Sequence, residues 1–411
     1  MRTTMRTTIW LVATASLAVG CKWTDFDDLA SETWVDSTEK PEVKSSDYGI
    51  AIQRSSRMGD GGRLVVLGAG TATYSELAYN TEGEASFPPT EVSLQAKANV
   101  PNIGNSPILI ADPSNDNTSL IVPSDNGVVI LFGAQGMLTP YQLFGVTAPD
   151  GGATYMVAPS QAAPQPLVAI GDTVYGAVLP SLPAGTSQPT CKLVDSASPT
   201  TKLSIKALGV VRNSPATTDD VLMWEASGKL YRYPGSVFNG CATQQAQTAV
   251  VDTGFMPDTG SQILSIDGGT VVLQGHRGDN GVLRVFTSPS AAMIAPLGDG
   301  AMVAKLRTAA ILDVQSGRYV IAGIPTALVE GKTAGQVQLF KIGATGLGTL
   351  PVATFNDAQP DNNQSFGRGV AAMPFNGSQV VAVAADNEVF VYFRANLADG
   401  TALYGETRRG R

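Results

Sequence analysis

One histidine in 411 residues bounds the side-chain chemistry open to this chain. His276 would have to be the base in any Ser-His-Asp or Cys-His mechanism, because the nucleophile passes its proton to an imidazole oriented by a carboxylate. It lies in the stretch LQGHRGDNG, which reads as a hairpin turn, and no nucleophile elbow accompanies it. The expectation is therefore an exposed turn histidine without a catalytic role. Two carboxylates can hydrolyse a glycosidic bond as acid and base, and Asp and Glu are plentiful, yet no spacing singles out a pair. There is no P-loop and no dinucleotide fingerprint. The glycines of GAGTATYSEL follow a strand but open no helix, so they form a turn. Arg277-Gly278-Asp279 is an adhesion signal when displayed on a loop, although turn chemistry alone also accounts for Gly-Asp-Asn-Gly at that place. No catalytic constellation emerges, and a non-enzymatic role is the expectation.

The cysteines are Cys21, Cys191 and Cys241. Ahead of the first, Arg2 and Arg6 precede an apolar run from Ile9 to Val19, too short to span a bilayer; residues 1–20 read as a secretory signal peptide. LAVGC at its end resembles the lipobox of bacterial lipoproteins. The resemblance implies cleavage before Cys21 and lipid on its thiol, with Ala18 a departure from the usual residue at that place. Lys22, rather than Asp, after the cysteine implies the outer membrane. Ordinary secretion with cleavage near the same place is the alternative. In an oxidising compartment Cys191 and Cys241 are expected to pair. Their bridge would close a loop of about 50 residues and add roughly 4 kcal/mol in the chain-entropy picture; two free buried thiols are the alternative. With the histidine distant in sequence, two thiols alone make a poor metal cage. Residues 21–46 are acidic and rich in Ser and Thr. They form either a disordered spacer or a short helix with Phe26, Leu29, Ala30 and Trp34 on one face.

The elements that would carry any site are strands. Gly at 44 positions, Pro at 25 and only 15% charged residues indicate many turns and few exposed helices. Net charge is −8 and no basic stripe is interleaved with aromatics, so nucleic acid is not expected as a partner. No apolar stretch beyond the N-terminus is long enough for an internal membrane span. Strand signals recur at offsets of about 44 to 57 residues: TYSELAY from Thr73, GVVILF from Gly127, GDTVYG from Gly171, GKLYRY from Gly228, GVLRVF from Gly281, GQVQLF from Gly335 and NEVFVY from Asn387. Each follows a second apolar strand, and most follow a third. A unit of three or four short antiparallel strands cannot bury both faces alone, whereas radial stacking lets each cover its neighbour. The expected fold is all-β, a seven-bladed β-propeller over 47–397, behind a tether at 21–46 and ahead of a basic tail at 398–411.

The last unit, SFGRGVAAMPFNGSQVVAVAADNEVFVY, resembles an FG-GAP repeat of the integrin-α propeller type. Phe366-Gly367 takes the Phe-Gly position and Asn376-Gly377 the polar turn; in the sixth unit Gly323-Ile324-Pro325 falls at the "GAP" position. Such repeats often carry a calcium loop of alternating Asp and Asn. In this chain Asp60, Asp313 and Asp361 are the candidate calcium ligands, and no loop holds a full set; no other cofactor is implied. The long loops TALVEGKTAG and NDAQPDNNQS supply a candidate binding rim of Glu330, Lys332, Asp357, Asp361 and Asn363. The expected function is that of an envelope-anchored lipoprotein, held to the membrane by its lipid, that binds an envelope protein or glycan. The alternative is a carboxylate-dependent hydrolase or lyase acting on polysaccharide.

Overall fold

The computed structural model describes residues 190–199, 203–211, 219–239, 244–258, 260–266, 268–314, 317–357, 360–375, 378–385 and 388–394. Ahead of residue 190 it describes short strands alone, from Glu32–Thr33 to Thr173–Gly176. The described residues are all-β: strands and turns, one short 3-10 turn at Gly235–Asn239, and no helix long and apolar enough to cross a membrane.

The strands form successive antiparallel meanders in chain order. The first sheet comprises Ala51–Arg54, Arg63–Gly68, Thr73–Ala78 and Thr90–Ser93. The second comprises Ile108–Ala111, Thr118–Ser124, Gly127–Gly133 and Thr139–Phe144, and the third Thr154–Val157, Leu167–Ile170, Thr173–Gly176 and Thr190–Cys191. The fourth is Ile205–Val211, Asp220–Glu225, Lys229–Tyr233 and Ala249–Asp252; the fifth is Gln262–Ile266, Thr270–Arg277, Asn280–Ser290 and Met293–Ala304. In the sixth, Thr308–Val314, Gly317–Ile324 and Gln336–Gly343 carry both Gly346–Leu347 and Ala353–Phe355 on the outer edge. The seventh, Gly369–Phe375, Ser378–Ala385 and Glu388–Arg394, takes its outer strand from far away: Glu32 and Thr33 pair antiparallel with Val391 and Phe390. Small parallel pairing of Leu193–Val194 with Gln245–Ala246 lies outside these meanders.

Glu32–Thr33 corrects part of the tether as read from sequence. This dipeptide is neither spacer nor helix but extended chain, because the outer edge of Glu388–Arg394 presents unpaired backbone groups that a strand can satisfy. The remainder of 21–46 lies outside the described residues.

First strands of consecutive sheets run beside one another: Ile205–Val211 lies between Thr154–Val157 and Gln262–Ile266, and Thr308–Val314 between Gln262–Ile266 and Gly369–Phe375. Ala51–Arg54 likewise neighbours Gly369–Phe375. Strand alternation then divides each sheet between two cores. In Asp220–Glu225, Val221 and Met223 pack with Leu167 and Ala169 of the third sheet, while Leu222 and Trp224 pack with Ile263, Leu273 and Phe286 of the fifth. In Gly317–Ile324, Val320 and Ala322 face Val272 and Leu283 of the fifth sheet, and Tyr319 and Ile321 face Phe366, Val381 and Val383. Burial on both faces explains why these strands read as unbroken apolar runs. Trp224, Phe286, Phe340 and Phe366 are fully buried, each stabilising the fold by about 1.5–3 kcal/mol or more.

Polar groups tie the sheets at fixed points. Arg232 is buried; its Nη2 lies 2.6 Å from Asp220 Oδ2, its Nε donates to the same carboxylate at 2.8 Å, and its Nη1 donates to Ser288 Oγ at 2.7 Å in the fifth sheet. Asp220 Oδ1 also accepts from Gly235 N at 2.8 Å, which starts the 3-10 turn. At the other face of the fourth sheet, Asp195 accepts from Ala197 N at 3.0 Å, Gln247 Nε2 at 2.9 Å and Tyr231 Oη at 3.3 Å. The Ala197 amide leads in holding the Asp195 carboxyl below its ordinary range. Burial, reinforced by Asp195, pushes the Tyr231 phenol up to about 12, and burial also raises Tyr233, whose hydroxyl donates to Val194 O at 3.3 Å.

Candidate functional site

Two loops of the sixth sheet converge. Between its second and third strands, Leu328–Val329 and Lys332–Thr333 form a small hairpin around Glu330-Gly331, with φ of 51° and 78°. Two left-handed central residues are the pattern of a type I′ turn, whose twist suits a hairpin. The chain leaving the sixth sheet after Phe355 then folds back against this hairpin. Lys332 Nζ donates to Pro360 O at 2.8 Å, Thr333 N to Asn362 Oδ1 at 3.2 Å, and Asn363 N to Thr333 O at 2.9 Å. Phe366 N donates to Ala334 O at 2.8 Å, anchoring the far end, where the Phe366 ring enters the core between the sixth and seventh sheets.

Of the predicted rim residues, the structure gathers Glu330, Lys332, Asp361 and Asn363 on one exposed platform. Asp357 is corrected: it is buried at the base of the loop and accepts from Gln364 Nε2. The loop must turn back on itself, and a carboxylate satisfied from within the loop holds that turn. Asp361 Oδ1 accepts from Asn362 N at 2.8 Å. Sequence reasoning missed Leu328, which is 69% exposed at the platform edge. Three of the four non-glycine residues with left-handed backbone among the described residues, Glu330, Asn363 and Ser365, lie in these two loops. Such conformations persist where surrounding contacts over-determine them, and they concentrate at functional surfaces.

Beneath the platform, the residues that resemble the FG-GAP pattern touch. A Cβ on Gly323 would fall inside the van der Waals radius of Gly367 O, and one on Gly335 would strike Phe366 O. Gly367 N also donates to Ala384 O at 2.9 Å. Glycine is needed at 323 because two backbones from adjacent sheets meet there without room for a side chain.

His276 departs from expectation. It is the penultimate residue of a strand, not a turn residue, because pairing in the hairpin continues to Arg277 opposite Asn280. Its ring is half-buried, with Nδ1 2.9 Å from Asp258 Oδ1 and Nε2 3.0 Å from Leu306 O. Ser261 Oγ donates to Asp258 Oδ1 at 2.9 Å rather than to the ring. The three residue types of a triad are thus joined in the wrong order, and the nitrogen that would act as base is occupied by a carbonyl. The histidine clasps three segments together.

Asp313 is exposed and sits 3.5 Å from Arg318 Nε. No three His, Cys, Asp or Glu side chains gather as a metal-binding group among the described residues. Cys191 pairs opposite Val174 in the third sheet; Cys21, Asp60, Cys241 and the side chain of Cys191 lie outside the described residues. In comparisons with known proteins, no family model matches the chain and no curated protein matches it.

Proposed function

We propose that the chain is a lipid-anchored, seven-bladed β-propeller of FG-GAP type that binds a protein or glycan at the bacterial envelope. Support for the ring comes from sheets buried on both faces and from first strands that neighbour one another in order from the third sheet to the seventh, with the seventh beside the first. The backbone contact of Gly323 with Gly367 supports the repeat type, since it uses the positions where the motif places its glycines. Cys21 carries the lipid, and Cys191–Cys241 is the single bridge.

The binding role is carried by one observation: two loops are fused by cross-loop hydrogen bonds into a platform on which Leu328, Glu330, Lys332 and Asp361 are all exposed. Exposed apolar and charged side chains together on a pre-organised backbone are the composition of a recognition surface. The test is a pull-down from detergent-solubilised envelope with the lipidated wild type and a Leu328→Asp/Lys332→Glu variant. A partner enriched by the wild type and lost by a variant of unchanged melting temperature is expected. Identical partner sets would overturn the platform as the binding site. Palmitate labelling that persisted in Cys21→Ser would overturn the anchor.

A further inference from the structure

The Arg277-Gly278-Asp279 tripeptide sits at the tip of the hairpin joining Thr270–Arg277 to Asn280–Ser290, remote in sequence from the platform loops. Gly278 and Asp279 are its two-residue turn. Gly278 has φ of 64° and Asp279 is not left-handed, which is the pattern of a type II′ turn. All three residues are exposed, and a Cβ on Gly278 would meet nothing within 4 Å, so the turn faces open space. Among the described residues, neither the Arg277 guanidinium nor the Asp279 carboxylate has a hydrogen bond or ion pair. Some other surface charges are used internally: Asp313 with Arg318, Asp195 with Gln247, Lys332 with Pro360.

While the side chains are unspent, the backbone under them is braced. Lys305, itself left-handed at φ 57°, donates its amide to Asp279 O at 3.3 Å. His276 joins the hairpin base to Asp258 on one side and to Leu306 on the other. Gly281 lets the Leu306 side chain lie directly on the strand, where a Cβ would clash. These contacts brace the backbone under the tip, which lowers the ordering entropy that binding must overcome.

We propose that this tip is a second recognition element, read by an adhesion receptor with an acidic pocket and a bound divalent cation. The guanidinium fork fits a carboxylate pair in two-point contact. The lone carboxylate fits an open coordination position on a hard cation held by the receptor. The turn glycine lets the receptor surface approach the backbone between them.

The experiment is solid-phase binding of the full chain to an immobilised integrin-type receptor ectodomain in manganese buffer. Comparison arms are chelator, competing free Arg-Gly-Asp peptide, Asp279→Glu, and Leu328→Asp/Lys332→Glu. Saturable binding is expected, abolished by chelator and by peptide. Asp279→Glu moves the carboxylate by one methylene without altering charge, and should weaken binding at least about thirtyfold with an unchanged melting temperature. The Leu328→Asp/Lys332→Glu variant should bind as wild type, which separates this tip from the platform. Absence of saturable binding, equal binding by Asp279→Glu, or failure of the peptide to compete would each overturn the proposal.

Discussion

Arg232 and Asp220 illustrate how much a buried charge depends on its partner. The guanidinium joins its own sheet to Ser288 of the next, and Asp220 is its counter-charge. Asp220→Ala would leave that cation buried without it and should destabilise the fold by about 3–5 kcal/mol, read as a lower denaturant midpoint. Tyr231 gives a pH dependence of defined sign. Burial raises its phenol from 10.0 to about 12, so the fold favours the neutral form. Its contribution is present in full below pH 10.0 and is lost as pH rises through about 12. Denaturant midpoints measured across that range, with phenolate absorbance followed in parallel, should fall for wild type and fall less for Tyr231→Phe. None of these partnerships was legible in sequence, because each joins residues from separate strands. His276 shows the same limit: its position in a hairpin could be read, but its two partners, 18 residues before it and 30 after it, could not.

At the scale of elements, hydrophobic alternation and turn residues were enough to locate the strands. GVVILF, GKLYRY, GVLRVF and NEVFVY each coincide with an observed strand, as do the apolar segments ahead of them. Outer strands were less legible. Ala353–Phe355 and Gly346–Leu347 are only three and two residues long, so little apolar patterning marks them. The platform loops were chosen by length and polarity; their mutual hydrogen bonds, and the burial of Asp357, arise only once the sixth sheet brings them together. The glycine contact between sheets is testable at this scale. Gly323→Ala places a methyl against Gly367 O, a rigid backbone atom, and should destabilise by about 1–3 kcal/mol, measured by thermal unfolding. Gly260→Ala meets nothing within 4 Å but has φ of 131°, so its smaller loss would isolate backbone strain from collision.

For the whole molecule, Glu32–Thr33 is the feature with the largest reach. It attaches the chain's N-terminal part to the outer edge of the seventh sheet, whose own strands come from residues 369–394. A chain lacking residues 22–30 keeps Glu32–Thr33 and serves as the reference. Deleting 22–35 removes the paired dipeptide and the few backbone hydrogen bonds it makes, a loss of about 2 kcal/mol at roughly 1 kcal/mol each. Equal melting temperatures for the two deletions would show that the pairing contributes nothing in solution.

Sequence alone determined that the described residues are antiparallel strands joined by tight turns, because a period of two and the residues of tight turns are local properties that survive without tertiary context. It also determined that conventional histidine chemistry rests on one residue. Only the tertiary structure decided which face of each strand meets which neighbour, that the two long loops form one platform, and that the Arg-Gly-Asp turn stands on a braced base. Those outcomes depend on contacts between residues tens of positions apart, and close packing between sheets, rather than any local preference, selects them.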